Sequence, residues 1–264
     1  MVLGGVKLFA NIIPKFGKGR ILKKEMLESM RDYPRDFDEI YYKDYSNGII
    51  SGADICVCES TIIVNKGIIK HEGIIYMLDS EFEIPYYHTN KEVLIKIRFD
   101  GESSNNDFKI FNSKMLIDDN TEVAKNEIEL GRFKLREGAI LRSEYKDFYD
   151  FSTEYNTINI INVEYVGVKK STINPRILNY FANTIMKSNP ENMMDRIFIF
   201  ECLKGRLIER EAILYYISSR LGIEYKDYSN LQIYNYLTSI VRECEGGRKK
   251  AVDMPNKPMR IIVD

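Results

Sequence analysis

The chain has 264 residues, 44% hydrophobic and 29% charged, a balance that allows one large domain or two modest ones and excludes wholesale disorder. Its 38 basic and 39 acidic side chains leave a formal charge of −1 with the signs interspersed, which speaks against a nucleic-acid partner. No apolar run reaches membrane-spanning length, so no membrane partner is expected either.

Residues 1–45 read as a leading segment. Lys7 to Ile13 has the character of a strand closed by Pro14. Leu22, Met26, Leu27 and Met30 then recur at helical spacing, and the restriction that proline places on its predecessor predicts an end before Pro34. Asp36 to Asp44, rich in aromatic and acidic residues, leads onward.

Residues 46–170 carry a β-rich module. Between Tyr45 and Tyr76, short apolar runs alternate with Gly48, Gly52, Gly67 and Gly73, a pattern of strands joined by tight turns at Asn65-Lys66-Gly67 and His71-Glu72-Gly73. Val93 to Phe99 is the clearest strand. Asp100 to Asp107 reads as a polar loop, Leu130 to Leu135 and Ile158 to Val168 as further strands, and Glu137-Gly138 as a turn. Strands at this spacing predict an antiparallel sandwich or barrel-like module.

From residue 171 to 245 the period changes to that of helices. Asn174-Pro175 and Asn189-Pro190 each look like a cap followed by proline at the first helical position. The stripes behind them are Ile177, Leu178, Phe181 and Ile185, then Met194, Ile197, Phe198 and Cys202, with Gly205 as a stop. A third helix carries Ile213, Leu214, Ile217 and Leu221 up to Gly222. A fourth opens on the capping box Ser229 to Gln232 and buries Ile233, Leu237 and Ile240 or Val241. The fold class is therefore α+β: an N-terminal antiparallel β-rich module, a small C-terminal helical bundle, and an extended tail over 246–264. Arg260, Ile261, Ile262 and Val263 close that tail as a strand-like run with nothing local to pair with, and are expected to anchor on a neighbouring subunit.

Residues fit for chemistry are scarce. His71 in a turn and His88 in a loop read as solvated, and no Gly-x-Ser-x-Gly elbow accompanies them. Gly17-Lys18-Gly19 lacks the remaining glycine of a dinucleotide fingerprint, and no phosphate-binding P-loop occurs. Cys56 and Cys58 share one face of a strand but have no second Cys or His pair at zinc spacing, so they read as buried free thiols. No catalytic, cofactor-binding or metal-binding residue is assigned, and an enzyme is not expected. Free thiols, and a start (Met1 to Lys7) without a secretory pattern, give the expectation of assembly in a reducing cytoplasm.

Several stretches carry a family resemblance. Residues 7–14 (KLFANIIP), 31–37 (RDYPRDF), 42–52 (YKDYSNGIISG), 129–135 (ELGRFKL) and 148–154 (FYDFSTE) resemble baseplate proteins of clostridial contractile phages and of the phage-tail-like bacteriocins of the diffocin type. The likeness covers most of residues 7–220. It implies a non-catalytic structural subunit, present in multiple copies, between wedge proteins and receptor-binding fibres, carried out of the cell in the released particle. It carries no catalytic residues. With two docking modules, a hinge is expected near Gly167 and Ser171, where the strand period gives way to the helical one. The competing reading, a prophage-encoded regulator that binds nucleic acid or host factors, would rest on Arg248-Lys249-Lys250. A cell-wall hydrolase would suit a tail tip but has no motif here.

Overall fold

The computed structural model describes residues 11–247. An exposed helix comes first, α1 (Lys24–Tyr41). Nine strands follow: β1 (Gly48–Gly52), β2 (Ile55–Cys58), β3 (Thr61–Val64), β4 (Gly67–His71), β5 (Ile74–Leu78), β6 (Phe82–Pro85), β7 (Val93–Ser104), β8 (Lys109–Asp118) and β9 (Glu127–Phe133). A 3-10 turn at Phe148–Ser152 precedes the short strands β10 (Glu164–Tyr165) and β11 (Thr172–Ile173). Four helices close the described chain: α2 (Pro175–Lys187), α3 (Met193–Leu203), α4 (Arg210–Leu221) and α5 (Asn230–Gly247). The protein is α+β, with a mainly antiparallel β-rich half followed by helices.

The strands form three small sheets, ordered β11-β10-β1-β4-β5, β2-β3-β6 and β8-β7-β9. One pair, β1 with β10, is parallel, with Ile49 opposite Tyr165. One contiguous hydrophobic core runs through both halves, from Ile49 to Val241. Aromatic residues join the halves. Phe148 packs 5.7 Å from Phe181 and 5.1 Å from Tyr234 (ring centroids), and the Tyr234 hydroxyl donates to the Phe148 carbonyl at 2.9 Å. The three rings bury apolar area and the Tyr234 hydroxyl finds a partner, so these contacts stabilise both halves together.

The helices follow their sequence signals closely. Asn174 accepts from the Arg176 N–H with Pro175 at the first helical position. Ser229 and Gln232 exchange reciprocal bonds, Gln232 N–H to Ser229 Oγ at 3.2 Å and Ser229 N–H to Gln232 Oε1 at 2.9 Å. Gly222 ends α4 at φ +66°, and Gly205 follows α3 at φ +67°.

Elsewhere the structure corrects the sequence reading. Residues 11–13 are irregular, and Lys7 to Ala10 lie outside the described residues. Helix α1 continues through Pro34 to Tyr41, and so takes in most of the segment read as a lead-in. The proline removes one donor, but the freed Met30 carbonyl lies on an exposed helix, and the apolar spacing resumes at Phe37 and Ile40. The turn Asn65–Gly67 joins no hairpin: β3 pairs with β2 and β6, whereas β4 pairs with β1 and β5. Gly52 and Gly67 serve this switch between sheets by close approach, since a Cβ on Gly52 would collide with the Lys66 carbonyl and one on Gly67 with the Ala53 backbone. His71-Glu72-Gly73 is a true hairpin turn, with Glu72 and Gly73 both at positive φ.

The polar loop shrinks to residues 105–108. Asp100 to Ser104 extends β7 and pairs with β8 up to Ser104 opposite Lys109, because ladder hydrogen bonds satisfy the backbone whatever the side chains are. Asn105 closes the arm by accepting from the Asp107 and Phe108 N–H groups. Ile158 to Val168 is not one strand: the Asn159 side chain accepts from the Ile161 N–H and turns the chain. The cap of α3 is Asn192, which accepts from Met194, and not Asn189. Cys56 and Cys58 do share a face of β2, but the exposed one.

Candidate interaction surfaces

The charged groups drawn into the fold are occupied there. Lys96 on β7 is 1% exposed and sits 2.9 Å from both Asp118 and Glu127, while Arg98 reaches Glu127 at 2.7 Å. Burial alone would lower the Lys96 pKa, yet the two carboxylates hold it above its ordinary value. Burial likewise opposes ionisation of Glu127, but the Ala124 N–H, Lys96 and Arg98 together hold it below. In the helical half, Asp195 accepts from the Tyr216 hydroxyl at 2.8 Å and from Arg220 at 3.0 Å. Arg210 spans Asp227, Asn230 and the Ser171 carbonyl. A cavity of about 340 Å³ opens beside these groups, lined by Glu127, Glu129, Glu164, Arg210 and Asn230. Its two buried acids are bound elsewhere, Glu129 by Arg132 at 2.7 Å.

Among the described residues, no group of three or more His, Cys, Asp or Glu is placed to hold a metal ion. No described helix is long and apolar enough to cross a membrane.

His71 departs from the solvated reading. At the end of β4 it is 3% exposed, stacks on Phe99 with centroids 4.1 Å apart, and finds no hydrogen-bond partner for either ring nitrogen. Burial lowers its pKa. His88 is exposed as expected.

Gly167 and Ser171 flank the β10–β11 turn. The Gly167 N–H reaches Ser46 Oγ at 3.2 Å, the Val168 N–H reaches Glu209 at 2.8 Å, and the Ser171 carbonyl accepts from Arg210. This turn is therefore tied to the start of the β-rich half and to the helical half at once. Arg260, Ile261, Ile262 and Val263 lie outside the described residues, as does Arg248-Lys249-Lys250.

Among the described residues, exposed apolar side chains line up as continuous stripes on two helices, α1 and α3. On α3, Phe198, Ile199 and Cys202 face the core, while Met193, Ile197 and Phe200 are 64%, 56% and 69% exposed along the opposite side. Ile197, read from the sequence as a core position, belongs to this outer stripe. Spacing alone does not reveal this, because α3 carries apolar residues on two opposite sides, separated by Arg196 and Glu201, and the two stripes overlap in the sequence. Helix α1 buries no residue at all; its end is held by Lys70, buried on β4, whose ammonium donates to the Tyr42 and Tyr45 carbonyls.

No known protein family matches the sequence, and no curated protein matches it. Among solved structures the chain is similar to one titled "Crystal structure of TssK", with a TM-score of 0.46 and 9% identity over 88% of this chain and 68% of that one. At that score the likeness is coarse and carries no functional inference.

Proposed function

We propose that this protein is a non-catalytic structural subunit of a contractile phage tail or phage-tail-like bacteriocin, seated in the baseplate between wedge proteins and receptor-binding fibres. The observation that carries the docking role is the outer face of α3. Its core side is already buried, yet Met193, Ile197 and Phe200 present a second apolar stripe to solvent. A helix that carries an apolar stripe opposite its core side as well as on it presents a surface suited to a partner. The particle itself is supplied by the sequence resemblance over residues 7–220. The pairing of the buried charges with one another supports a role through shape: Lys96, Glu127, Asp195 and Arg210 hold the fold together. Assembly would take place in the producer's cytoplasm, before release.

The test is incorporation. Phe200→Asp places a charge on the exposed stripe without touching the core. Particles purified from a producing strain should contain the wild-type chain and lack the variant, while the variant alone unfolds at the wild-type temperature. Particles that carry both chains equally would refute docking through α3, and particles that carry neither would refute the baseplate role.

A further inference from the structure

We infer that α1 is a self-association element that pairs antiparallel with α1 of a second copy of this chain. The inference stands on α1 alone and does not depend on the baseplate reading. Met26, Met30, Tyr33, Phe37 and Ile40 recur at intervals of four, three, four and three residues, the heptad repeat of a helix–helix seam. Leu27 and Tyr41 widen the seam on one side, and the charged residues take the remaining positions. None of this face is buried: Met30, Tyr33, Phe37 and Ile40 are each more than half exposed. An isolated amphipathic helix of this length gains too little from propensity alone to be stable in water, so its apolar face needs an opposing surface.

Charge and shape choose the occupant. Lys24–Tyr41 holds three basic and six acidic residues, the wrong sign for the anionic lipid surfaces that amphipathic helices with Lys/Arg-rich polar faces bind. The seam complements itself when reversed. A twofold axis near Tyr33 sets Met26 against Ile40 and brings the flexible Met30 beside Phe37, where the ring allows sulfur–aromatic packing. The same axis places Asp36 opposite Ser29, so no like charges meet beside the seam. A parallel pair would instead oppose each large residue with its own copy.

The full-length chain with Cys56→Ser and Cys58→Ser, which removes the exposed thiols, is the background for the test. Sedimentation at rising concentration should show a monomer–dimer equilibrium, and Phe37→Glu should weaken it about thirtyfold or more. Since α1 buries nothing, that variant should keep the wild-type unfolding temperature. In the same background Tyr33→Cys should oxidise readily to a covalent dimer. Met26→Cys should not, because the two copies of residue 26 would lie about 20 Å apart in an antiparallel pair. Efficient cross-linking at both positions would mean a parallel pair and overturn the arrangement. The inference also fails if the chain stays monomeric at high micromolar concentration. In that case, binding to phosphatidylglycerol vesicles would assign α1 to a membrane surface. Protection of a Tyr33→Cys thiol from alkylation would show that the chain covers α1 itself.

Discussion

His71 gives the sharpest prediction about stability. A neutral imidazole brings one donor and one acceptor, and in this structure both are buried without partners beside Phe99. Leaving a buried polar group unsatisfied costs about 1–3 kcal/mol. His71→Phe removes both orphans and keeps a ring stacked on Phe99, at a packing cost of up to about 1–2 kcal/mol because the ring is larger. The net expectation at pH 8 is a gain of about 1 kcal/mol, or roughly 2–4 °C in Tm for a chain of this size. Acid enlarges the difference. Burial lowers the native pKa of His71, so the unfolded chain binds its proton first, at a pKa near 6.5. The stability of the wild type is therefore intact above pH ~6.5 and falls as pH drops below it. By pH 5 the loss reaches up to about 2 kcal/mol if the native ring is still neutral. Glu72 beside it opposes the shift, but burial is the larger influence. Urea unfolding of wild type and His71→Phe at pH 8 and pH 5 measures the effect. A stability difference that does not widen between the two pH values would rule out a buried, neutral His71 in the native chain, whatever its sign at pH 8.

Other consequences follow from the same geometry. Lys96→Met leaves Glu127 and Asp118 with the more exposed Arg98 as their one remaining cation and should cost about 3 kcal/mol in urea unfolding, with the double variant Lys96→Met, Glu127→Leu recovering much of the loss. Gly67→Ala drives a methyl into the Ala53 backbone and should lower Tm by more than 5 °C, or roughly 2 kcal/mol, in a thermal melt. Ser229→Ala breaks one half of the capping box at the start of α5 and should cost about 1 kcal/mol by the same measurement. Thiol titration of the native chain should show Cys56 and Cys58 reacting quickly. Cys202, buried and with its thiol pushed up to about 12 by desolvation, should react only on unfolding.

The helical half was legible in the sequence because its signals are local. Asn174-Pro175, Ser229 to Gln232 and Gly222 act through bonds within a few residues, and the stripes on α2, α4 and α5 follow from a single period. The β-rich half was less so. Alternation shows that Cys56 and Cys58 share a face but not which face is buried; that depends on which sheet β2 joins. The same holds for His71, whose burial is set by Phe99 on a strand 28 positions away. Asp100 to Ser104 looked like a loop by composition, but its partner strand β8 fixes it as an arm. Of the interaction surfaces, half of the α1 seam was visible as Leu22 to Met30 and the rest was hidden behind Pro34. On α3 the outer stripe was merged with the inner one at Ile197.

In the proposed baseplate, the outer face of α3 meets another subunit inside a contractile particle. Cryo-electron microscopy of particles from a producing strain tests it directly. This chain is expected in the baseplate, with another polypeptide covering Met193, Ile197 and Phe200. Particles in which those three side chains face open solvent, or from which the chain is missing, would contradict it.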